Sequence, residues 1–546
     1  MDKLLVRRVD APMLMLAVAL LLASLGNAKF WSVLTLAAGG FSLTSLPVLA
    51  GSFLIVVLFF NACLTLASFR YIAKPVLVVL VLAASAASYF IVTYGIVIDR
   101  AMIQNLFETD AREAAELINW RMAAWIALLG VLPALLIARA DIRFPRGARG
   151  ILERIRRALG SMLLAAVLLA LLFKSLAPAL HEHRELRFLL TPTNFVQALH
   201  GYLSNRFAAD VVVAPLGRDA VKGARWAGQA RKTLTVIVVG ETARAASFSL
   251  NGYARDTNQL LARQSGLINF SRVSSCGTAT AVSVPCVFSA FGREDYSQSR
   301  AQRQEGLLDV LSHAGFDVVW RDNNSDCKGV CDRVSFEDLS RPARASSHCN
   351  ADECYDERLL EGLPELLRGR GKDVVVVLHQ KGSHGPAYAS RHPAAFSRFG
   401  PECTTGEFER CSRASIQAAY DNTILYTDYF LSQTIDRLRA MAQQEAVDTA
   451  MLYFSDHGES LGENNVYLHG TPYFFAPREQ TQVPMMFWMS DSFGARFRID
   501  RRCLAQRRSE PLSHDNVFHS VLGMLDVNTA VLNPRLDIFH ACVRDA

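Results

Sequence analysis

Acidic, amide and imidazole side chains follow four separate apolar segments of the sequence, each close to the point where the segment ends. They are Glu241, the run Asp322-Asn323-Asn324, His379 with His384, and the pair Asp456-His457. One such group after a strand is common by chance, but four groups directed at one edge of a sheet indicate a functional site. Carboxylates and imidazoles bind metal ions and move protons, so we expect metal-assisted chemistry at this edge.

Three of these residues form a ligand set for a divalent cation. Glu241, Asp456 and His457 supply two carboxylates and one imidazole nitrogen, which suits zinc or another divalent ion. A catalytic zinc keeps one coordination position open, and an alcohol can fill it. Taken alone, Asp456-His457-Gly458 is more typical of a capped turn after a strand than of a metal site, so the metal site depends on the other groups at the edge.

A hydroxyl-rich segment, residues 275–286, offers candidates for that alcohol. A hydroxyl at the start of a helix lies near the positive end of the helix dipole. Coordination to a metal ion favours its alkoxide, which is a nucleophile. The helix end and the metal would together stabilise an attacked phosphate. The spacing does not choose among Thr278, Thr280 and Ser283.

Short apolar strands that alternate with helical segments after residue 233 must position these groups. The predicted strands are residues 233–240, 317–320, 373–379, 449–454 and 483–489. Continuous valine-rich runs between helices indicate a mainly parallel sheet that is covered on both faces. In such sheets ligands bind beyond the carboxyl ends of the strands, where the polar groups lie.

Five long apolar stretches precede residue 180, at about 12–28, 46–68, 75–98, 122–138 and 158–178. Most reach the roughly 20 residues that a helix needs to cross a bilayer. Basic residues near the N-terminus, at 70–74 and over 139–157 place those regions in the cytoplasm by the positive-inside rule. Five crossings then place everything after residue 180 outside. A cleaved signal peptide ending near Gly26-Asn27-Ala28 is the alternative for the first stretch, and it leaves the other four unchanged.

We therefore expect three parts in the chain. Residues 1–180 form a transmembrane domain of five helices with a cytoplasmic N-terminus, and residues 233–546 form an exported α/β domain. Residues 181–232 bridge the two, and helical spacing of Phe195, Leu199 and Tyr202 suits a segment that lies on the membrane surface or packs against the domain.

The positions of the cysteines provide independent evidence that residues 233–546 are exported. Ten of the 11 cysteines follow residue 275, and only Cys63 lies in the apolar region. An even number of cysteines in an exported domain indicates disulfides rather than a zinc site, and no C-x-x-C pair occurs. The predicted bridges are Cys276–Cys286, Cys327–Cys331, Cys349–Cys354, Cys403–Cys411 and, by elimination, Cys503–Cys542.

The composition of the 546 residues excludes several classes of protein. A content of 51% hydrophobic and 20% charged residues excludes a disordered chain, a collagen and a small disulfide-rich mini-protein. The net charge of +6 is too small to indicate a nucleic-acid partner.

Longer motifs around these residues resemble the phosphoethanolamine transferases of Gram-negative inner membranes, including the lipid A-modifying, polymyxin-resistance enzymes. The resemblance covers essentially the whole chain, with the motifs in the same order. The motifs are Val239-Gly240-Glu241-Thr242-Ala243-Arg244, Ser275-Cys276-Gly277-Thr278-Ala279-Thr280, Trp320-Arg321-Asp322-Asn323-Asn324-Ser325, His379-Gln380 with His384-Gly385-Pro386-Ala387-Tyr388, and Ser455-Asp456-His457-Gly458-Glu459-Ser460-Leu461-Gly462-Glu463-Asn464.

The resemblance implies an alkaline-phosphatase-like fold for the periplasmic domain and assigns roles at its site. Zinc would be held by Glu241, Thr280, Asp456 and His457, with Thr280 as the nucleophile. It also implies substrate-side or second-metal roles for Lys328, His384 and His469, with Ser325 nearby. For His379 the resemblance implies no more than a supporting position at the site. We interpret His514 and His519 as structural, because they open and line a late helix.

A polar stripe follows the third apolar stretch. Asn105, Thr109 and Glu113 recur every four residues and so share one helical face. The resemblance implies that such a stripe receives the ethanolamine headgroup of a lipid. A solvated helix face is the alternative.

The resemblance implies a two-step transfer by a monomeric enzyme of the inner membrane. Thr280 attacks phosphatidylethanolamine, and an acceptor then takes phosphoethanolamine from the threonine, with His384 or His469 moving protons. The acceptor is a lipid A phosphate or, as the alternative, a lipopolysaccharide core sugar. The added amine masks negative charge and weakens attraction of polymyxin and other cationic peptides.

Three other functions compete with this one. A sulfatase needs Cys or Ser in a C-x-P-x-R context, and the segments after Cys276 and Cys286 lack it. A glycerol-phosphate transferase also pairs five spans with a threonine nucleophile, but the cysteine framework and the motifs disfavour it. A non-enzymatic membrane scaffold is disfavoured because every expected ligand is present.

Overall fold

The computed structural model describes residues 8–108, 117–145, 147–183, 186–206, 212–228, 230–341, 346–350, 353–371 and 373–544. The chain divides into two compact units. One unit comprises Met1–Ile103 and Ile118–Ser204, and the other comprises Gln104–Leu117 and Asn205–Ala546.

The first unit is helical, and the five predicted apolar stretches are confirmed as helices. Five described helices are long and apolar enough to cross a membrane: Ala11–Ala37, Leu46–Leu66, Ala73–Tyr94, Trp120–Arg139 and Gly147–Leu176. The first is interrupted at residues 25–27, and the last belongs to the longer helix Gly147–Glu182. Small residues allow close packing, because a Cβ at Gly51 would clash with the side chain of Leu172. Short elements complete the described part: strands Arg8–Asp10 and Asp141–Arg143, and helices Leu186–Leu189 and Thr193–Arg206.

The second unit is built on an eight-stranded sheet. Its strands are β1 (Thr233–Gly240), β2 (Ile268–Ser274), β3 (Asp317–Asp322), β4 (Ser335–Asp338), β5 (Val374–His379), β6 (Asp448–Ser455), β7 (Gln482–Met489) and β8 (Leu512–Ser513). The order across the sheet is β8-β2-β7-β6-β1-β5-β3-β4. Every residue of β1, β5 and β6 is buried, as expected for valine-rich central strands covered on both faces.

The mainly parallel sheet is confirmed, with one strand reversed. Strand β7, the predicted strand 483–489, runs antiparallel to both β6 and β2. Its pairing with β2 is irregular between Val483 and Met485, where Pro484 has no N–H to donate to the ladder. Strand β2 was not among the predicted strands.

Helices of the second unit pack against this sheet. The longest is Arg413–Gln444, which begins where the side chain of Ser412 accepts a hydrogen bond from the backbone N–H of Ser415. The other α-helices of this unit are Arg100–Glu108, which begins just before the unit boundary, Thr280–Val287, Gln298–Ala301, Leu307–His313, Leu363–Arg368, Arg478–Thr481, Asp491–Phe497, Arg501–Gln506 and Asp515–Met524. Short strands form two further pairs, Ser460–Leu461 with Tyr467–Leu468 and Val221–Lys222 with Val527–Asn528.

All five predicted disulfides are confirmed. They are Cys276–Cys286, Cys327–Cys331, Cys349–Cys354, Cys403–Cys411 and Cys503–Cys542. The first closes the segment that carries Thr280, and so it restrains the backbone beside the site. Cys63 is the free cysteine.

Candidate active site

The polar groups identified in the sequence lie at the ends of four neighbouring parallel strands. In sheet order these strands are β6, β1, β5 and β3. Asp456 follows β6, Glu241 follows β1, His379 ends β5 and Asp322 ends β3. Because parallel strands end at the same edge, side chains far apart in sequence meet there.

Of the three hydroxyl candidates, Thr280 is the one that faces the carboxylates. Thr280 Oγ1 lies 3.1 Å from each carboxylate oxygen of Glu241 and 3.2 Å from His457 Nε2. The hydroxyl of Thr278 instead donates to the carbonyl of Thr471, and that of Ser283 donates to the carbonyl of Asp456. Thr280 is also the first residue of helix Thr280–Val287, so its oxygen lies by the exposed N–H groups of the first turn.

Glu241, Asp456 and His457 form a group that could hold a metal ion, with one ligand atom of each within 4.8 Å of the others. Asp456 Oδ1 accepts hydrogen bonds from the backbone of Thr242 and His457. Asp456 Oδ2 is buried and has no hydrogen-bond partner among the described residues. A buried carboxylate oxygen without a donor is costly, and coordination of a cation would satisfy it.

The tautomer of His457 also fits a metal ligand. His457 Nδ1 lies 2.9 Å from the carbonyl of Gly458, which can only accept, so we assign the ring proton to Nδ1. The lone pair of Nε2 then points toward Thr280 and the carboxylates. A second contact fixes the orientation of such a ligand in many metal sites. The residues present therefore fit a bound divalent cation.

The two carboxylates have opposite electrostatic environments. Burial opposes ionisation of Glu241, but the neighbouring His457, His384 and His379 outweigh it and lower the pKa of Glu241 to about 2. Burial and the nearby Glu241 charge raise the pKa of Asp456 to about 6. A shared positive charge would relieve the repulsion between them.

His379 and Asp322 support the carboxylate of Glu241 from one side. His379 Nδ1 lies 2.8 Å from Asp322 Oδ2, and Asn324 Nδ2 donates to Glu241 Oε2 over 2.7 Å. Burial disfavours protonation of His379, but the Asp322 carboxylate outweighs it and raises the pKa of His379. His379 is fully buried, consistent with a supporting position.

A buried carboxylate that sequence reasoning missed holds the loops after β3 and β5 together. Asp356 accepts hydrogen bonds from the backbone of Lys381 and Gly382 and from the side chains of Asn323 and Gln380. Burial raises the pKa of Asp356 although these hydrogen bonds oppose the shift. Asp356 belongs to no motif and lies before β5 in sequence, so its role was visible only in three dimensions.

His384 and His469 lie beside the metal group. Their ring centroids are 5.5 Å apart, and the ring of His469 lies 4.5 Å from that of His457. His469 Nδ1 contacts Glu459 Oε2 at 2.9 Å, and the hydroxyl of Tyr388 donates to the other oxygen of Glu459. The Glu459 carboxylate thus fixes the orientation of the His469 ring beside His457.

The structure describes only some of the remaining predicted site residues. Lys328 Nζ donates to the carbonyl and hydroxyl oxygens of Ser325, in the loop after β3. Asn105 is half-buried in helix Arg100–Glu108, whereas Thr109 and Glu113 lie outside the described residues. The neighbouring Gln104, which was not predicted, contacts the carbonyl of Ala281 at 3.4 Å, next to the Thr280 segment.

The two histidines interpreted as structural each accept a backbone hydrogen bond through Nδ1. Burial lowers the pKa of His514 to about 3, so the ring is neutral, and its Nδ1 accepts the backbone N–H of Cys276. His519 Nδ1 accepts the backbone N–H of Asn533.

Comparison with known proteins finds relatives over most of the chain. A family model described as phosphoethanolamine transferase EptA/EptB matches residues 56–207, and a sulfatase model matches residues 233–527. The phosphoethanolamine transferase EptA of Escherichia coli K12 is 41% identical over 502 residues, which cover 92% of this chain and 90% of that protein. The phosphatidylethanolamine transferase Mcr-1 of Escherichia coli is 38% identical, with 91% and 90% covered.

A solved structure also matches along nearly the whole chain. The integral membrane lipooligosaccharide phosphoethanolamine transferase A (EptA) of Neisseria meningitidis matches with a TM-score of 0.94 and 34% identity, over 99% of this chain and 100% of that one. Its soluble domain alone matches with 42% identity over 61% of this chain. The chain therefore belongs to the EptA family of phosphoethanolamine transferases, membrane enzymes whose soluble domain has the sulfatase and alkaline-phosphatase type of fold.

Proposed function

We propose that this enzyme transfers phosphoethanolamine from phosphatidylethanolamine to a phosphate of lipid A through a covalent Thr280 intermediate. The observation that carries the proposal is the position of Thr280 Oγ1, 3.1 Å from the Glu241 carboxylate and 3.2 Å from His457 Nε2. The names of relatives support the substrates. One is called phosphatidylethanolamine transferase Mcr-1, and another, 29% identical, is the Kdo(2)-lipid A phosphoethanolamine 7''-transferase of Escherichia coli K12.

In the first step the oxygen of Thr280 attacks the phosphorus of the donor lipid. A bond forms between this oxygen and phosphorus, and the bond from phosphorus to the glycerol oxygen breaks, which releases diacylglycerol. Zinc held by Glu241, Thr280, Asp456 and His457 would favour the alkoxide of Thr280 and offset negative charge on the phosphate. The N-terminal N–H groups of helix Thr280–Val287 point toward the same region and favour the same charge.

In the second step a phosphate oxygen of the acceptor attacks the phosphoethanolamine on Thr280. The new bond joins the acceptor oxygen to phosphorus, and the bond to Thr280 breaks, so the free side chain is regenerated. In the first step, His469, oriented by Glu459, or the adjacent His384 passes the hydroxyl proton of Thr280 to the departing glycerol oxygen, so the second step releases Thr280 as its alkoxide. Lys328 and Ser325 bind phosphate oxygens, and Asn105, Thr109 and Glu113 receive the ethanolamine group.

The proposed location is the inner membrane of a Gram-negative bacterium, with the catalytic unit of a monomeric enzyme in the periplasm. The five disulfides support an oxidising compartment for this unit. Each transferred group adds an amine to an anionic acceptor. The surface then attracts polymyxin and other cationic peptides less strongly, which makes the cell resistant.

The test is the mass spectrum of lipid A and core oligosaccharide from Gram-negative cells that lack their own transferases and express this chain. We expect phosphoethanolamine on lipid A with the wild type and none with Thr280→Ala. Thr278→Ala is the matched control, because its hydroxyl is bonded to the Thr471 carbonyl and not to the metal group. An adduct confined to core sugar would change the acceptor, and an adduct with Thr280→Ala would contradict the mechanism.

A further inference from the structure

Thr242 directly follows the candidate metal ligand Glu241 and has a backbone conformation that its residue type disfavours. Its φ is 59°, in the left-handed region where glycine is the favoured residue. A β-branched residue is a genuine outlier in this region. Backbone strain of this kind clusters at functional sites. The contacts of Thr242 therefore indicate which function the strained conformation serves.

Neighbouring elements hold this conformation in place. The backbone carbonyl of Thr242 accepts the hydroxyl of Tyr420, in helix Arg413–Gln444, over 2.7 Å. The N–H of the next residue, Ala243, donates to the hydroxyl of Ser455 at the end of β6 over 2.8 Å. Thr242 itself is fully buried. The surrounding structure thus fixes a conformation that an isolated chain would rarely adopt.

In this conformation Thr242 bonds both carboxylates of the metal group. Its hydroxyl donates to Glu241 Oε1 over 2.5 Å, and its backbone N–H donates to Asp456 Oδ1 over 3.1 Å. Glu241 follows β1 and Asp456 follows β6, so the two carboxylates come from different strands. One residue therefore fixes the position of each carboxylate relative to the other.

The atoms that face one another at this site have the spacing of ligands around a small tetrahedral ion. His457 Nε2 lies 3.5 Å from Glu241 Oε1 and 3.4 Å from Asp456 Oδ2. Thr280 Oγ1 lies 3.2 Å from His457 Nε2 and 3.1 Å from Glu241 Oε1. A tetrahedron with bonds of about 2.0 Å has edges of about 3.3 Å. Thr242 thus bonds the Glu241 oxygen that belongs to this group, and it bonds the Asp456 oxygen that does not.

The carboxylate of Glu241 is held at both of its oxygens. Asn324 Nδ2 donates to Oε2 over 2.7 Å, while the Thr242 hydroxyl donates to Oε1. Without that hydroxyl the carboxylate keeps one of these two donors and can turn about its last side-chain bond. A bound ion would then have to restore the orientation itself, at a cost in affinity.

We propose that Thr242 is a positioning residue that sets the affinity of the site for zinc by holding Glu241 and Asp456 in the orientation that the ion needs. Residues that hydrogen-bond metal ligands from outside typically affect metal affinity strongly. The strained backbone is what brings the N–H and the hydroxyl of one residue to two different carboxylates. The proposal rests on the zinc site of the proposed function.

The test measures zinc binding by the full-length protein in detergent, after removal of metal, in competition with a chromophoric chelator. Thr242→Val keeps the shape of the side chain and removes its hydroxyl, whereas Thr242→Ser keeps the hydroxyl. The matched control is Thr434→Val, because the buried hydroxyl of Thr434 donates to the carbonyl of Phe430 in its own helix. The thermal midpoint of each metal-free variant is measured alongside, since a purely structural role would lower the midpoint and leave zinc affinity unchanged.

We expect Thr242→Val to bind zinc roughly 10- to 100-fold more weakly than the wild type, the usual effect of losing a hydrogen bond to a metal ligand. Thr242→Ser and Thr434→Val should bind zinc as the wild type does. Wild-type affinity in Thr242→Val would overturn the proposal. An equal loss in Thr242→Ser would also overturn it, because the branched shape and not the hydroxyl would then matter.

Thr242→Gly keeps the experiment decisive if Thr242→Val does not fold, because glycine adopts this backbone conformation without strain. We expect it to fold and to bind zinc more weakly than the wild type, and wild-type affinity in this variant would overturn the proposal. A wild type that binds no zinc would instead refute the metal site itself. Failure of the proposed function and failure of the role of Thr242 therefore give different results.

Discussion

At the scale of single residues, the active site combines two buried carboxylates that repel each other. Asp456 Oδ2 has no hydrogen-bond partner among the described residues, and Glu241 lies beside it. This arrangement is unfavourable without a cation and favourable with one. Selection for stability alone would not retain these two neighbouring carboxylates, whereas binding of a cation requires them.

A substitution at Asp456 should therefore separate metal binding from stability. We expect metal-free Asp456→Asn to be as stable as the metal-free wild type or more stable, because the substitution removes the repulsion. Added zinc should raise the thermal midpoint of the wild type, since a ligand that binds only the folded state stabilises it. It should have little effect on the variant. A zinc-induced rise of equal size in both proteins would show that Asp456 is not a ligand.

Another carboxylate, Asp537, lies far from the metal group in sequence and makes the stability of the protein depend on pH. Burial raises the pKa of Asp537 to about 7, although the backbone N–H of Phe539 donates to it. A carboxyl whose pKa is raised by folding binds its proton more tightly in the folded state. The stability that this protonated carboxyl contributes is therefore lost as the pH rises from the pKa of Asp537 in the unfolded chain through about 7, its pKa in the folded protein.

We expect the free energy of unfolding of the wild type to fall between pH 6 and pH 8 by about 1 kcal/mol more than that of Asp537→Asn. Denaturant unfolding of both proteins in the same detergent measures the difference. Parallel pH profiles would refute the assignment.

The choice of nucleophile shows where residue-level prediction from the sequence stops. Glu241, Asp456 and His457 could be proposed as ligands because each follows a recognisable strand. Thr278, Thr280 and Ser283 could not be separated by spacing, because their partners Thr471, Glu241 and Asp456 come from distant segments. Asp356 was not predicted from the sequence for the same reason.

At the scale of elements, the loop after β5 must approach the backbone of β1 closely. Gly382 has φ of 54°, and a Cβ there would lie 2.6 Å from the carbonyl oxygen of Glu241. Only glycine combines this conformation with this contact. The loop carries His384 and the N–H groups that bind Asp356, so its position controls the site.

Gly382→Ala should displace Glu241, reduce transfer at least tenfold and destabilise the protein by more than about 1 kcal/mol. Gly371→Ala is the control before the same strand, because a Cβ there meets nothing within 4 Å. Transfer rates and thermal midpoints of both variants provide the measurement. Equal behaviour of the two would refute the close-contact argument.

The sheet shows what strand patterns can and cannot predict. The strands β1, β5 and β6 are rich in Val, Leu and Met, so the sequence predicts that these strands exist and that they are buried. The direction of β7 could not be predicted, because an apolar run has the same composition in either direction. Strand β2 was missed because Ser271 and Arg272 interrupt its apolar residues, and its burial alternates.

At the scale of the whole molecule, disulfides cross-link the second unit over loops of very different length. The bridge Cys503–Cys542 spans 39 residues, whereas Cys327–Cys331 spans four. In the chain-entropy model, longer loops stabilise more, which gives about 4 kcal/mol for the former and about 2 kcal/mol for the latter.

We therefore expect Cys503→Ala/Cys542→Ala to lower the thermal midpoint of the full chain more than Cys327→Ala/Cys331→Ala does. Both effects should disappear when the wild type and variants are compared under reducing conditions. The reverse order of midpoints under oxidising conditions would contradict the loop-length argument.

The central claim is that Thr280 carries the transferred group, and peptide mass spectrometry of the full-length protein tests it most directly. The protein is mixed with phosphatidylethanolamine in the absence of acceptor, quenched in acid and digested. We predict one phosphoethanolamine group on Thr280 in the wild type, and none in Thr280→Ala. A wild type that turns over the donor with the group on another residue, or with no modified residue at any time, would contradict the account.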